Sequence, residues 1–298
     1  MNTMKPRLSI GMPLYNAERY LEEALESLLN QTFEDFELII SDNASTDGTA
    51  EICHEFANRD KRIRYVRNPR NLGAARNYNR VFELATGRYF KWAAGDDVCA
   101  PEFLRKCIQV LDRYQDVVLC YAKTKLLDEQ GRISRHYEDG LNLVSYSPSG
   151  RFLQLMYNIR QCNAIFGVMR SGVLKQTRLI GNFIDSDTCL LAELSLHGKF
   201  HEIPRYLFYR RHHPQASSAN RADQDQLEFF DPGLKGKVAM TNWRHLRENL
   251  LALKRARIKY SQKILPAIYL LGTMFVQPGE YMREINQALR FLMRQHLS

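Results

Sequence analysis

Two adjacent carboxylates, Asp96 and Asp97, are the residues of this 298-residue chain whose types and spacing most directly suggest chemistry. Neighbouring like charges are costly unless a cation or hydrogen bonds compensate them. The pair is therefore typical of a metal or nucleotide site, and Mg²⁺ and Mn²⁺ prefer such hard oxygen ligands. The alternative is that Asp97 caps a following helix while Asp96 lies in a solvated turn. The pair alone leaves both interpretations open.

The segments on either side of the pair indicate how it is positioned. Residues 89–94 are apolar except for Lys91, which is typical of a buried strand. After Pro101, apolar residues recur at helical spacing from Phe103 to Leu111. A strand would thus deliver both carboxylates to the edge of a sheet, where open α/β proteins bind their ligands.

Strand and helix patterns alternate along the first half of the chain. Predicted strands cover residues 7–12, 36–40, 63–67 and 89–94, and amphipathic helices separate them. This alternation predicts an α/β fold with a doubly wound, mostly parallel central sheet flanked by helices. Neither G-x-G-x-x-G nor a P-loop is present, which argues against a dinucleotide dehydrogenase and a P-loop ATPase.

The region after the fourth strand is less regular. Strands are predicted at residues 117–123, 164–169 and 200–208, with a meandering excursion at 126–147. Beyond Ala222, a basic helical extension is predicted. We therefore divide the chain into a catalytic-sized domain, residues 1–221, and an extension, residues 222–298.

The charge of the chain is concentrated in its last quarter. Residues 234–298 hold 12 Lys or Arg and 3 Asp or Glu, and their net charge of +9 equals that of the whole chain. A helix in this region is indicated by apolar residues at helical spacing, namely Trp243, Leu246, Leu250 and Leu253. It would either lie on a membrane surface or pack on the domain with a solvated basic face. An anionic membrane surface is the expected neighbour, whereas nucleic acid is not, because the segment lacks a series of stacking aromatic residues.

Composition predicts an ordinary folded protein. A hydrophobic content of 45% and a charged content of 25% are typical of soluble domains. The first residues do not resemble a signal peptide, and no segment has the length of a membrane span. The six cysteines show no C-x-x-C spacing and fit reduced core residues. The expected location is cytoplasmic, in peripheral contact with the membrane.

Six short motifs then follow one another in a fixed order along residues 7–214. They are Pro13-Leu14-Tyr15-Asn16, Ser41–Thr49, Asn71–Asn77, the Asp96-Asp97 pair with Pro101 four residues on, Ser186-Asp187 ahead of a leucine-rich helix, and Tyr209–His212. Each motif is weak alone, but their joint order and spacing resemble the family 2 glycosyltransferases. Members of this family are inverting enzymes of the GT-A fold that build bacterial surface polysaccharides.

The resemblance implies a donor site for a nucleotide-diphosphate sugar in residues 7–115, with a UDP-sugar favoured. Asp42 would accept the N–H of a uracil or similar base, since an amide-type bond to a carboxylate is charge-assisted. The other residues that the resemblance places at the nucleotide sugar are Pro13, Tyr15, Asn16, Gly73, Arg76 and Asp96. The alternatives are that Asp42 only organises its own turn and that Arg76 is a surface charge.

Asp96 becomes the main ligand of Mn²⁺ or Mg²⁺ in this resemblance, with Asp97 and His212 as further candidate ligands. Asp97 would otherwise order the start of the next helix, and His213 is an alternative to His212. Ala94 stands where the family usually has an aspartate, so the need for a metal ion remains open.

The resemblance also implies a general base in the acceptor half, residues 116–221. Asp187 is the candidate, with Asp185 as its substitute, and the dipole of the following helix should keep Asp187 ionised. Both aspartates would otherwise be helix caps. The implied acceptor is a glycan or a lipid-linked molecule. A nucleotide-binding protein without turnover and a membrane-surface scaffold are the alternatives.

Overall fold

The first half of the chain alternates strands and helices as predicted. A computed structural model describes residues 5–216 and 223–296. Its first elements are β1 (Leu8–Leu14), α1 (Glu18–Leu29), β2 (Phe36–Asp42), α2 (Thr49–Arg59), β3 (Ile63–Arg67), α3 (Ala74–Glu83), β4 (Tyr89–Trp92), β5 (Val98–Cys99) and α4 (Phe103–Arg113). Strands β1 to β4 pair in parallel, so their carboxyl ends share one edge.

The second half adds strands of both directions to the same sheet. Its elements are β6 (Val117–Leu127), β7 (Ile133–Tyr137), α5 (Pro148–Asn158), β8 (Val168–Arg170), α6 (Ser171–Leu174), α7 (Ser186–His197) and β9 (Lys199–Arg211). The strand order is β3-β2-β1-β4-β8-β6-β9-β5, with β7 beside β6. Strand β5 pairs antiparallel with the end of β9. This pairing joins the turn that holds Asp96 and Asp97 to the last predicted motif.

The sheet is covered on both faces, which confirms the predicted mostly parallel sheet flanked by helices. On one face, buried β1 residues such as Ile10 and Met12 share a core with α1 and α4. On the other face, Phe90 and Trp92 share a core with helices α3, α5 and α7. Successive residues of a strand point to opposite faces, which explains how one short strand can serve two cores.

The prediction of a strand over residues 164–169 was wrong in part. Residues Asn163–Phe166 form a 3₁₀ turn, which begins after Cys162 in the left-handed region at φ 57°. Strand β8 starts only after Gly167. A Cβ atom at this position would lie 2.7 Å from the Cys120 carbonyl oxygen, which is too close for any residue except glycine. An apolar run this short cannot distinguish a turn from a strand by periodicity.

The last helices pack on the rest of the molecule. They are α8 (Asp223–Phe230), α9 (Thr241–Arg255), α10 (Ser261–Val276) and α11 (Pro278–His296). Leu246 and Leu253 of α9 are buried in the core that includes α7. Buried Glu193 of α7 also pairs with Arg255, at 2.9 Å. Of the two interpretations of this helix, the structure therefore has the packed one.

None of the helices in residues 5–216 and 223–296 combines the length and apolar character needed to cross a membrane.

Candidate active site

Two loops at the carboxyl edge of the sheet are tied together by hydrogen bonds. Asn16, held at φ 48° after β1, accepts the Thr46 N–H through Oδ1 at 2.8 Å. Its own N–H donates to Ser45 Oγ at 2.9 Å. Tyr15, beside it, is exposed, and Pro13 is half-buried. The first and second predicted motifs therefore form one wall, with Tyr15 facing solvent.

Asp42 is fully buried at the end of β2, and both of its oxygens are occupied. Oδ1 accepts the Ser45 N–H at 2.9 Å. Oδ2 accepts the Tyr65 hydroxyl at 2.8 Å and Arg67 Nη1 at 2.9 Å. This is the turn-organising arrangement that the sequence left as the alternative. Contact with a nucleotide base stays a prediction and requires the half-exposed Arg67 side chain to move aside.

The third motif contributes a buried asparagine that sequence reasoning missed. Asn77 of α3 accepts Ser41 Oγ at 2.7 Å and Asn68 Nδ2 at 3.0 Å. Its amide nitrogen donates to the Ser41 carbonyl at 2.9 Å. Asn77 thus fixes the start of α3 against β2. Asn77 could have been found from its place in the Asn71–Asn77 motif. The charged neighbour, Arg76, was the predicted site residue instead.

The two other candidates in this motif face the last quarter of the chain. Arg76 is exposed, and its charge lowers the pKa of Asp231 together with other contacts of that carboxyl. Gly73 has φ 83°, and a Cβ there would lie 2.5 Å from the Phe230 carbonyl oxygen. Residues 230–231 therefore sit directly on the glycine that starts α3.

Asp97 holds the end of β9 and does not cap α4. Its Oδ1 accepts the Arg211 N–H at 2.9 Å, while Glu102 is at the N-cap of α4 and makes no capping bond with its side chain. The expectation that Asp97 orders the helix start is therefore wrong, because β5 lies between them. Burial, followed by the neighbouring Asp96 charge, raises the pKa of Asp97 to about 7.

Asp96 meets His213, not His212. The His213 Nε2 atom lies 3.0 Å from Asp96 Oδ2, and the imidazole packs 5.0 Å from the Tyr20 ring, centroid to centroid. His212 is exposed and lines the adjoining cavity. Since the sequence places both histidines beside the last motif, only the register of β9 decides which one reaches the carboxylate.

The metal site that the family resemblance implies is tested by this donor set. Among residues 5–216 and 223–296 there is no cluster of three His, Cys, Asp or Glu side chains that could hold a metal ion. A carboxylate and an imidazole, Asp96 and His213, do lie together. Mixed nitrogen and oxygen donors suit Mn²⁺ better than Mg²⁺, and phosphate oxygens and water commonly complete such sites. The residues therefore fit an ion that is shared with a phosphorylated ligand.

A cavity of about 810 Å³ opens beside this pair. Its wall includes Tyr78, Cys162, Asp187, Arg210 and His213. Burial raises the pKa of the Tyr78 phenol, and the charges of Asp96, Asp97 and Asp187 raise it further. Asp187 and His213, the partner of Asp96, therefore line one space, whereas Asp96 and Asp97 are not part of its wall. None of the predicted nucleotide-sugar residues belongs to this wall, although Ala74, next to Gly73, does; they are Pro13, Tyr15, Asn16, Asp42, Gly73, Arg76 and Asp96.

Asp187 lies in the first turn of α7, half-buried against the cavity. Its Oδ1 accepts the Thr188 N–H at 2.9 Å. Burial raises the pKa of this carboxyl, and the charge of Asp185 raises it further. That the helix dipole keeps Asp187 ionised stays a prediction, and burial and Asp185 act against it.

Asp185 does not act as a side-chain cap. It adopts a left-handed conformation, φ 55°, is exposed, and makes no capping hydrogen bond with its side chain. The capping interpretation therefore does not explain this residue. Its carboxylate lines the cavity beside Asp187.

Arg210 is a second cavity residue that sequence reasoning passed over. Its Nη1 donates to the Gln161 carbonyl at 2.7 Å and to Asn163 Oδ1 at 2.5 Å. Burial raises the pKa values of Asp97 and Asp187, and the guanidinium charge of Arg210 partly opposes this effect. A cation held in place by Gln161 and Asn163 thus acts on both acidic groups.

Fold comparison finds solved structures of similar, GT-A-like fold. The structure of Staphylococcus aureus TarS 1–349 in complex with UDP-GlcNAc is similar with a TM-score of 0.68 at 17% identity, covering 97% of this chain and 81% of the TarS 1–349 chain. A Pyrobaculum calidifontis mannosyltransferase in complex with GDP-Man and Mn²⁺ is similar with a TM-score of 0.52 at 16% identity, covering 97% and 85%. At these identities, the likeness shows the fold alone.

Sequence comparison identifies the family. The model of glycosyl transferase family 2 matches residues 9–177, so the chain belongs to that family, and the predicted resemblance is confirmed.

Among curated relatives, an uncharacterised Haemophilus influenzae glycosyltransferase is 29% identical over 230 residues, 74% of this chain and 70% of its own length. A putative teichuronic acid biosynthesis glycosyltransferase, TuaG of Bacillus subtilis, is 37% identical over 111 residues, 37% of this chain and 44% of its own length. An uncharacterised Methanocaldococcus jannaschii glycosyltransferase is 35% identical over 136 residues, 45% of this chain. This match spans about half of that relative, 47%.

Proposed function

We propose that this protein transfers a sugar from a nucleotide-diphosphate donor to an acceptor hydroxyl, with inversion at the anomeric carbon. The observation that carries the proposal is that His213, which contacts Asp96, lines the same cavity as Asp187. Inversion requires attack from the side opposite the leaving group. One acidic group near the leaving diphosphate and another near the acceptor would meet that requirement.

Asp187 is proposed as the general base. The acceptor oxygen forms the new bond to the anomeric carbon, the bond to the diphosphate breaks, and the hydroxyl proton passes to the Asp187 carboxylate. A raised pKa suits this task, because a more basic carboxylate accepts the proton more readily. Asp185 is the substitute if Asp187 is not the base.

Asp96 and His213 are proposed to face the donor diphosphate. A Mn²⁺ or Mg²⁺ ion bound there would supply charge neutralisation for the departing nucleoside diphosphate. His212 and Asp97 remain weaker candidates, since His212 faces solvent and Asp97 is tied to the Arg211 backbone. Arg210 would orient its remaining N–H groups toward the same oxygens.

The wall formed by Pro13, Tyr15 and Asn16 is proposed to hold the nucleoside, with Asp42 binding the base once Arg67 has moved. A UDP-sugar is the favoured donor, and TarS, which has the same fold, was solved with UDP-GlcNAc. The proposed acceptor is a glycan or lipid-linked molecule in bacterial surface polysaccharide synthesis, at the inner face of the membrane. TuaG, named for teichuronic acid biosynthesis, supports that process.

A donor screen tests the proposal. The full chain is incubated with UDP-, GDP-, dTDP- and CDP-sugars, with and without Mn²⁺, and the released nucleoside diphosphate is measured. We expect nucleoside diphosphate to be released from UDP-sugars. Of the nucleotides tested, only UDP together with Mn²⁺ should raise the Tm of the protein. Stabilisation by a nucleotide without release from any donor would instead indicate a binding protein without turnover.

The pH dependence of turnover should move when Asp185 is replaced. As the base, Asp187 must be ionised, so activity falls as the pH drops through its raised pKa. Asp185→Asn removes a negative charge that raises this pKa, and asparagine tolerates the left-handed backbone. We expect the acidic limb of the pH profile of kcat to move to lower pH. An unchanged limb would contradict the assignment of that limb to Asp187.

A further inference from the structure

Helix α10 is packed on one side only. Pro266 and Leu270 are buried against the core, and Ser147 Oγ donates to Gln262 Oε1 at 2.7 Å. The opposite side carries Ile264, Ile268, Leu271 and Phe275, which are 57%, 60%, 46% and 85% exposed. We call these four residues the α10 stripe.

The spacing of the stripe makes it one continuous surface. Its members follow one another at four, three and four residues, so their side chains lie above each other along about 16 Å of helix. Leu265 and Val276 widen it, with 58% and 80% exposure. Single exposed apolar residues are ordinary, but a contiguous patch is typical of an interaction site.

Positive charge accompanies the stripe. Residues 249–279 contain five Lys or Arg and no Asp or Glu. Arg255 is used in the pair with Glu193, whereas Lys254, Arg257 and Lys259 are exposed and form no ion pair with a carboxylate in the described part of the chain. Tyr260, 86% exposed, stands between them and the stripe, and aromatic residues with a polar tip favour a membrane interface.

We propose that the α10 stripe inserts into the surface of an anionic membrane, with Lys254, Arg257 and Lys259 against its phosphate headgroups. An apolar stripe beside a basic segment is the pattern of a helix that lies in the plane of the interface. A second copy of the chain fits less well, because it would cover the stripe without supplying the row of anionic groups that phosphate headgroups offer to Lys254, Arg257 and Lys259.

This placement differs from the one that the sequence suggested. The apolar side of α9 is buried, so α10 and the basic residues before it supply the membrane contact. The inference rests on the proposed function in one respect: a lipid-linked acceptor is what attachment would bring to the cavity. Vesicle binding itself requires no turnover.

Flotation of the full chain with lipid vesicles tests the inference. We expect binding to vesicles of phosphatidylcholine with about one third phosphatidylglycerol, and weaker binding to phosphatidylcholine alone. Ile268→Gln with Phe275→Gln should weaken the binding about 100-fold, roughly tenfold for each lost apolar anchor. Ile133→Gln with Val144→Gln, two residues of comparable exposure on other elements, is the matched control and should bind as the wild type does. Replacing Lys254, Arg257 and Lys259 by Gln should abolish the preference for the anionic lipid.

The inference would be overturned if the wild type did not bind anionic vesicles, or if the stripe variant bound them equally well. It would also be overturned if the wild type were a dimer and the stripe substitutions made it a monomer while vesicle binding stayed unchanged. Tm and nucleoside diphosphate release are measured in parallel on each variant. Loss of release in every sample would refute the proposed function and leave the vesicle result standing.

Discussion

Asp187→Asn is expected to lower kcat for sugar transfer by about 10²–10⁴-fold, the range over which a positioned general base contributes. The amide keeps the shape of the side chain, and its oxygen can still accept the Thr188 N–H, so the start of α7 should remain intact. The KM for the donor and the Tm increase caused by UDP plus Mn²⁺ should therefore change little. Steady-state kinetics with a UDP-sugar measure this effect.

Asp185→Asn is the matched control, because it makes the same chemical change two residues away. It should retain turnover near neutral pH and alter only the pH profile. If Asp187→Asn keeps normal turnover while Asp185→Asn loses it, the assigned base is wrong and Asp185 takes its place.

Asp96→Asn should lower kcat/KM by about 10²–10³-fold, as expected for loss of one group that stabilises developing charge. Asparagine can still accept a hydrogen bond from His213, but it carries no charge with which to hold a divalent ion. The stimulation of turnover by Mn²⁺ should also disappear. Titrating Mn²⁺ against the rate of nucleoside diphosphate release gives both quantities.

Asp97→Asn provides the contrast on the neighbouring residue. Its oxygen can still accept the Arg211 N–H, and burial and the Asp96 charge, which raise the pKa of Asp97, already disfavour its charged form. We therefore expect this variant to keep its response to Mn²⁺. A retained metal response in Asp96→Asn together with a lost one in Asp97→Asn would reverse the proposed roles.

The sequence predicted the sheet and the approximate location of the site because both depend on local patterns. Alternating apolar residues placed β1, β2 and β4, and the motifs at their ends fell at the carboxyl edge of the sheet. Asp187 lies in the wall of the cavity, and the Asp96–Asp97 turn lies beside it through the contact of Asp96 with His213, because helices and strands of regular length carried them there.

Contacts between distant segments could not be predicted in the same way. The Asp42 carboxylate accepts hydrogen bonds from Tyr65 and Arg67, which lie more than 20 residues further along the chain. His212 and His213 are adjacent and have the same side chain, so the sequence cannot distinguish them. Their side chains point to opposite sides of the extended segment, as successive residues do. Helices α9 and α10 are both rich in apolar residues, and only packing shows which apolar face is buried.

A crystal structure of the protein with UDP and Mn²⁺ tests the central claim most directly. We expect the diphosphate against Asp96 and His213, the uracil between Tyr15 and Asp42 with Arg67 displaced, and the Asp187 carboxylate across the cavity from the terminal phosphate. Nucleotide bound in a different hollow, with Asp96 and Asp187 both beyond contact of anything attached to its diphosphate, would contradict the account.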